Sequence, residues 1–371
     1  MKRIYLDFNA STPIAPEVAK AMRPFISGGF GNPSSQHWAG VAAKAGIAEA
    51  RAKVAALLGC APDEIVFTSG GSEANNHALK GAFFALRSRG NHIITTAIEH
   101  PATLKPCRFL ETLGAEVTYL AVDRMGRVAP EAVRNAVTSR TILVSVMHAN
   151  NEVGTIQPIR EIAAITRKHG ILFHTDAAQS VGKIPVRVEE LGVDLLSVAG
   201  HKLYAPKGVG ALYIRKGVRL EPLVHGAEHE GGRRAGTENV ILDVALGAAC
   251  ELAASWIANP RIKDLRDRFW EMLQEAFGQR VVLNGHPTER LPNTLNVSFI
   301  GSSGSDLLAR MKNVAASTGS ACHAGQTTIS PVLAAMGVSP EAGKGAIRFS
   351  LGRTTTLSEI KSVVQLLRQG V

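Results

Sequence analysis

Five short stretches of this chain carry residue types that could do chemistry together. In Ser197-Val198-Ala199-Gly200-His201-Lys202, a lysine follows an apolar run. Desolvated there, its amine would lose part of its basicity and could form a Schiff base with a carbonyl compound. In His174-Thr175-Asp176-Ala177-Ala178-Gln179, an acid ends a second apolar run. A buried carboxylate needs a partner, and a protonated pyridine nitrogen would be a suitable one. Phe67-Thr68-Ser69-Gly70-Gly71-Ser72 reads as strand, glycine turn and helix start, a cradle for phosphate built from backbone N–H groups and a hydroxyl. It lacks the GK[ST] of a nucleotide-binding loop. His100, held by Pro101, could stack on a flat ring and move protons. Cys322 lies in Gly319-Ser320-Ala321-Cys322-His323-Ala324-Gly325, a small, polar stretch that is expected to be exposed, with His323 placed to favour the thiolate.

Each signal has a plainer explanation when taken singly. Lys202 could be a solvated loop lysine, Asp176 a helix cap, the glycine pair an ordinary turn, and His100 a structural side chain. Cys60, Cys107 and Cys250 sit in helical or apolar surroundings and read as packing. His225-Gly226-Ala227-Glu228-His229 matches a zinc-hydrolase pattern, H-x-x-E-H, that works only on a helix. Gly226 inside it and Gly231-Gly232 after it make a loop the expected conformation, and no metal site is expected.

Elements must bring these pieces together. Apolar runs at 65–68, 92–96, 116–120, 142–146, 171–174, 195–198 and 211–214 alternate with helical patterns, one from Pro158 to His169 with Gly170 just past its end. Several runs are apolar without alternation, as strands buried on both faces should be. The expected fold is α/β, a large domain with a mostly parallel mixed sheet flanked by helices. After about residue 238 the pattern changes. A helix to Ala258, a second over 261–277, strands at 294–299 and 346–350 and a capped final helix from Thr356 suggest a smaller α+β domain. The expected division is 15–255 for the large domain, with 1–14 and 256–371 in the small one carrying the cysteine segment.

Composition limits what such a fold could be for. The chain has 371 residues, 45% hydrophobic and 19% charged, which excludes a disordered or collagen-like polymer. Its net charge is 41 − 31 = +10, but the basic residues are scattered without aromatic interleaving, so direct nucleic-acid binding is not expected. Four dispersed cysteines with no CxxC pair fit a reducing compartment. No apolar run reaches membrane-spanning length, no membrane association is expected, and the start lacks a signal-peptide core. The expected location is the cytoplasm.

In combination the motifs become specific. Glycine turn, ring histidine, Asn150-Asn151-Glu152, Asp-x-x-Gln, Gly-His-Lys and Gly-Ser-Ala-Cys occur in that order, with Gly31-Asn32-Pro33-Ser34-Ser35 near the start and Arg348-Phe349-Ser350 near the end. Over essentially its whole length the chain resembles the cysteine desulfurase and selenocysteine lyase family, in the class V aminotransferase group of fold-type I pyridoxal phosphate enzymes. The resemblance implies pyridoxal 5'-phosphate held by Lys202 as a Schiff base, with Asp176 on the pyridine nitrogen, Gln179 near the phenolate oxygen and His100 over the ring. It implies that Gly71, Ser72 and His201 lie at the phosphate, and that Thr237 reaches the phosphate of a neighbouring subunit in a homodimer. Asn151 would lie near cofactor and substrate, Arg348 would fork onto the substrate carboxylate with Asn32 also on the substrate, and Cys322 would carry a persulfide. L-cysteine would give L-alanine, and the sulfur would pass to an acceptor protein such as an iron–sulfur scaffold or thiolation enzyme. Two departures stand out: Ala199 where the family often has serine, and His323 after the cysteine, which is similar to selenocysteine lyases and makes L-selenocysteine an alternative substrate. An aminotransferase and a zinc hydrolase are more distant alternatives.

Overall fold

A computed structural model describes residues 3–257, 259–318, 322–323, 326–327 and 329–370, the side chains of 322, 323, 326 and 327 excepted. In chain order the strands are β1 (Ile4–Tyr5), β2 (Ile65–Thr68), β3 (His92–Thr96), β4 (Glu116–Leu120), β5 (Thr141–Ser145), β6 (Leu172–Asp176), β7 (Leu195–Ala199) and β8 (Gly210–Ile214). They continue as β9 (Val281–Asn284), β10 (Thr294–Phe299), β11 (Val314–Ala315), β12 (Cys322–His323), β13 (Gln326–Thr327) and β14 (Ala346–Ser350). The seven from β2 to β8 form one sheet in the order β2-β8-β7-β6-β5-β3-β4. All its pairings are parallel except the two made by β8. β2 and β7 both run opposite to β8, so they point the same way. The carboxyl ends of β2, β3, β5, β6 and β7 therefore share one edge.

The expected mixed, mostly parallel sheet is present, and its strand interiors explain why. Side chains alternate between two apolar layers: Val144, Phe173, Leu196 and Tyr213 on one face, Val66, Leu143, Leu195 and Leu212 on the other. Burying each large side chain contributes about 1.5–3 kcal/mol. Ile159–His169 is a helix that ends on Gly170 in the left-handed region at φ 62°, where glycine carries no Cβ penalty. The helix expected to reach Ala258 instead spans Val240–Ala254. Turn residues follow it, and Ala258 lies outside the described residues.

A second core surrounds the antiparallel sheet β14-β10-β9. Phe269 and Leu273 of the helix Arg261–Phe277 pack there with Phe299, Phe349 and Ile360. The N-terminal segment joins this core, since β1 pairs in parallel with β11 and Ile4 and Leu6 are buried within it. Past β1 the chain runs along β14, where the Phe8 N–H donates to the Ser350 carbonyl and the Ser350 N–H to the Leu6 carbonyl. Asn9 and Ala10 are thereby carried to the active edge of the large sheet. Among the described residues, no helix is long and apolar enough to cross a membrane.

Candidate active site

A cavity of about 600 Å³ opens where the five strand ends meet the N-terminal segment. Ligand sites at the carboxyl ends of strands are the rule in open α/β sheets. Its wall includes Lys202, Asp176, Gln179, His100, His201 and Asn151. Gly71, Ser72 and Arg348 line it as well.

Lys202 ends the single helical turn Gly200–Lys202 that follows β7. Its Nζ donates to the carbonyls of Asn9 at 2.6 Å and Ala10 at 2.7 Å. Burial, then the charge of Arg348, lowers its pKa to about 8, while Asp7 and Asp176 oppose the shift. Far more of its amine is free at neutral pH than for an ordinary lysine.

Asp176 is the last residue of β6 and is 7% exposed. Oδ1 accepts from the Ala178 N–H at 2.9 Å, a local turn bond, and Oδ2 accepts from Asn75 Nδ2 at 2.6 Å. The capping role and the cavity role thus coexist on two different oxygens. His100 caps the helix Pro101–Glu111, its Nδ1 accepting from the Ala102 N–H at 3.1 Å. That bond places the proton of the neutral ring on Nε2. Burial lowers the His100 pKa, with Asp176 opposing. His201, beside Ser11 Oγ at 3.3 Å, is pushed down to about 4 by burial and then by Lys202. It is neutral, and offers a hydrogen bond rather than a charge.

The glycine turn is shaped for close backbone approach. Gly70 sits at φ 147°, and a Cβ on Gly71 would stand 3.1 Å from the Ala199 methyl. The helix Gly71–Leu86 starts here, with its first N–H groups and the Ser72 hydroxyl at an anion-attracting end. Glu73 in that first turn accepts from the Ser69 N–H and pairs with Arg234 at 2.9 Å.

Arg348 comes from the other core, on β14. It is 7% exposed. Nη2 pairs with Asp7 at 2.7 Å and Nη1 donates to the Asn151 carbonyl at 3.0 Å. Its Nε is buried with no hydrogen-bond partner.

Three anticipated residues stand apart. Thr237 is exposed and lines a neighbouring groove with Thr68, Ser69 and Arg234. Asn32 is exposed as well, its Oδ1 taken by the Ser34 N–H at 2.9 Å, and it does not line the cavity of its own chain. The Cys322 side chain lies outside the described residues, although its backbone pairs with Thr327 in the β12–β13 ladder. Cys107 and Cys250 are buried and Cys60 is half-buried, and burial pushes each thiol up to about 12, as packing cysteines should be. His225 and His229 fall in loop and single-turn structure, with His225 exposed beside Glu221 at 3.2 Å.

Several site residues escaped the motif reading. Asn75 lies one turn into the helix whose start was recognised. Asp7 and Asn9 carry no motif of their own. Their only sequence signal is the change from the apolar Ile4–Phe8 stretch to the polar run Asn9-Ala10-Ser11-Thr12.

Comparison with known proteins shows the family. Residues 4–363 match the family model for class-V aminotransferases. A cysteine desulfurase IscS of Dictyoglomus turgidum is 49% identical, over 100% of this chain and 95% of that protein. One of Methanosarcina thermophila is 49% identical over 99% of this chain and 91% of its own. A solved NifS-like protein superimposes with a TM-score of 0.92 at 38% identity, covering 99% of this chain and 98% of that one. A structure described as SspA in complex with cysteine gives 0.84 at 38% identity over 94% and 98% of the two chains. The chain belongs to the class-V aminotransferase family, in its pyridoxal phosphate-dependent cysteine desulfurase branch.

Proposed function

We propose that the protein takes sulfur from L-cysteine, releasing L-alanine and holding the sulfur as a persulfide on Cys322. The observation that carries this reading is the convergence of a weakly basic lysine, a buried carboxylate, a glycine-lined helix start and a buried arginine on one cavity. The donor set fits pyridoxal phosphate. Gly71, Ser72 and His201 would hold its phosphate, Asp176 its pyridine nitrogen, Gln179 its ring oxygen, and Lys202 would bind it covalently. When bound, the cofactor supplies an electron sink for charge developing at the substrate Cα.

The chain's own residues do the rest. Arg348, oriented by Asp7 and the Asn151 carbonyl, would pair with the substrate carboxylate. Lys202, once free of the cofactor, moves the Cα proton, helped by its lowered basicity. The His100 ring would stack on the cofactor, and its Nε2–H would donate. The Cys322 thiolate attacks the substrate sulfur, so an S–S bond forms as the C–S bond breaks. The electron pair stays on the carbon skeleton, which is then protonated to alanine.

A homodimer is part of this reading. Thr237 and Asn32 are exposed, and the groove lined by Ser34, His229, Arg233 and Glu238 puts their two segments side by side. Ile26, Phe30, Trp38 and Val41, around Asn32, are exposed at 64%, 82%, 82% and 59%, an apolar surface suited to burial against a second copy. The division into domains 15–255 and 1–14 plus 256–371 belongs to the same reading, supported by two separate cores. So do a sulfur-acceptor protein, such as an iron–sulfur scaffold or thiolation enzyme, and a cytoplasmic setting, where reduced Cys60, Cys107 and Cys250 fit.

The test is an absorbance spectrum of the purified protein before and after L-cysteine, with alanine and sulfide measured. The expected result is a visible cofactor band that changes on addition, with alanine formed. Absence of alanine would overturn the reading. His323 after Cys322 favours a second reading, release of selenium from L-selenocysteine. A much higher kcat/KM on selenocysteine than on cysteine would establish it.

A further inference from the structure

Lys183 lies seven residues past β6, four beyond Gln179, and is partly buried. Burial holds its pKa well below the ordinary lysine range, and the charges of Lys202 and Arg348 push the same way. Nζ donates to Gln179 Oε1 at 2.7 Å and to Asn9 Oδ1 at 3.2 Å. Both acceptors are carboxamide oxygens.

The contact decides which way Gln179 faces. A carboxamide turned over by 180° has nearly the same shape but exchanges donor for acceptor. Gln179 Nε2 donates to the Asn9 carbonyl at 3.0 Å, the same carbonyl that accepts from Lys202 Nζ. The opposite orientation would set oxygen against oxygen at Asn9 and take away the acceptor of the Lys183 N–H. Asn9 is itself locked, Oδ1 accepting from Asn293 Nδ2 at 2.9 Å and Nδ2 donating to Thr294 Oγ1 at 2.8 Å. With one Nε2–H given to Asn9, the second is left at the cavity wall that Gln179 shares with Asp176 and Lys202.

We infer that Lys183 is a positioning residue: it fixes the Gln179 carboxamide so that an N–H, not the carbonyl oxygen, faces the ring oxygen of bound pyridoxal phosphate. The inference rests on the proposed role of Gln179 toward that oxygen. Lys183 acts through Gln179 and does not itself line the cofactor cavity. It lines a separate apolar cavity of about 270 Å³ between the two cores, with room for a longer side chain.

The test compares holoenzymes of wild type, Lys183→Met, Gln179→Ala, the double variant and Lys183→Arg. The readouts are the pH midpoint of the visible absorption band and the dissociation constant of pyridoxal phosphate. An N–H bond to a charged oxygen favours the deprotonated form, so Lys183→Met should raise the midpoint by roughly one unit. Gln179→Ala should raise it as far, and the double variant no further. Cofactor affinity should fall in parallel. Lys183→Arg keeps the donors and should restore the wild-type midpoint, which also decides the matter if Lys183→Met does not fold. An unshifted midpoint in Lys183→Met, additive shifts in the double variant, or a shift in Lys183→Arg as large as in the Met variant would overturn the inference. A wild-type midpoint in Gln179→Ala would overturn it together with the proposed role of Gln179, whereas a shift there without one in Lys183→Met removes Lys183 alone.

Discussion

The seven-stranded and three-stranded sheets reach the same cavity by different routes. From the large sheet, each functional residue sits at or just beyond a strand end: Asp176 closes β6, Lys202 follows β7, and Gly71 follows β2. From the small sheet, Arg348 sits in the middle of β14, lines the cavity and pairs with Asp7 of the N-terminal segment. Asp7 and Asn9, far from both sheets in sequence, join the two halves. The lesson is a division of labour. In the proposed function the large sheet would supply the cofactor groups on strand ends, and the small sheet the substrate-carboxylate group across a seam.

Breaking the large-sheet side should cost most. Lys202→Ala should abolish the borohydride-reducible link to the cofactor and lower turnover about a thousandfold or more. Peptide mapping of the reduced adduct checks this, and a link found at another lysine would refute the assignment. Asp176→Ala should keep the cofactor but lose roughly a hundredfold in kcat, the usual scale of one preorganised electrostatic contact. Near wild-type turnover would remove it from the ring nitrogen.

The small-sheet side should fail differently. Arg348→Lys loses the planar fork but keeps a charge, so KM for L-cysteine should rise by about tenfold or more while the cofactor spectrum stays unchanged. A changed spectrum with an unchanged KM would dissolve the contrast between the sheets. A smaller effect sharpens it further. The Lys202 pKa near 8 means that capture of pyridoxal phosphate by the apo-protein should accelerate between about pH 7 and 9 and then level off. A rate still climbing steeply past pH 10 would describe an ordinary lysine.

Stability should report on the large sheet alone. Glu99 is buried, accepting from the Thr96 hydroxyl and the Met147 N–H, and burial raises its pKa to about 8. Its folded pKa lies above its unfolded one, so its contribution to stability is complete below about pH 4.5 and is lost as pH rises through 8. Glu99→Gln should gain on wild type over that window in thermal unfolding. Parallel pH curves for the two proteins would show that Glu99 does not titrate there.

The same contrast explains what could be read from the sequence. Apolar runs that end in polar residues or glycine mark strand ends, so the positions of Asp176, Lys202 and the glycine turn were legible locally, as was the mixed sheet, while their roles rested on the motifs in combination. Arg348 has no such signature, because its neighbours Asp7 and Ser317 are set by pairing across distant segments. It was identified only through the family resemblance. Asn9 and Lys183 were missed, since a hydrogen-bond hub is defined by partners rather than by spacing. Thr237 was expected, from the resemblance, to reach a neighbouring subunit, and Asn32 was expected on the substrate; both are exposed, and Asn32 does not line the cavity of its own chain.

The central claim is tested most directly by Cys322→Ala, assayed for alanine formed from L-cysteine, with the cofactor spectrum recorded alongside and tryptic peptides of turning-over wild type examined by mass spectrometry. The account predicts an unchanged spectrum, no alanine above background from the variant, and a 32 Da sulfur adduct (about one sulfur atom,) on the Cys322 peptide of the wild type. Full alanine formation by Cys322→Ala, or the adduct on Cys60, Cys107 or Cys250 instead, would contradict it.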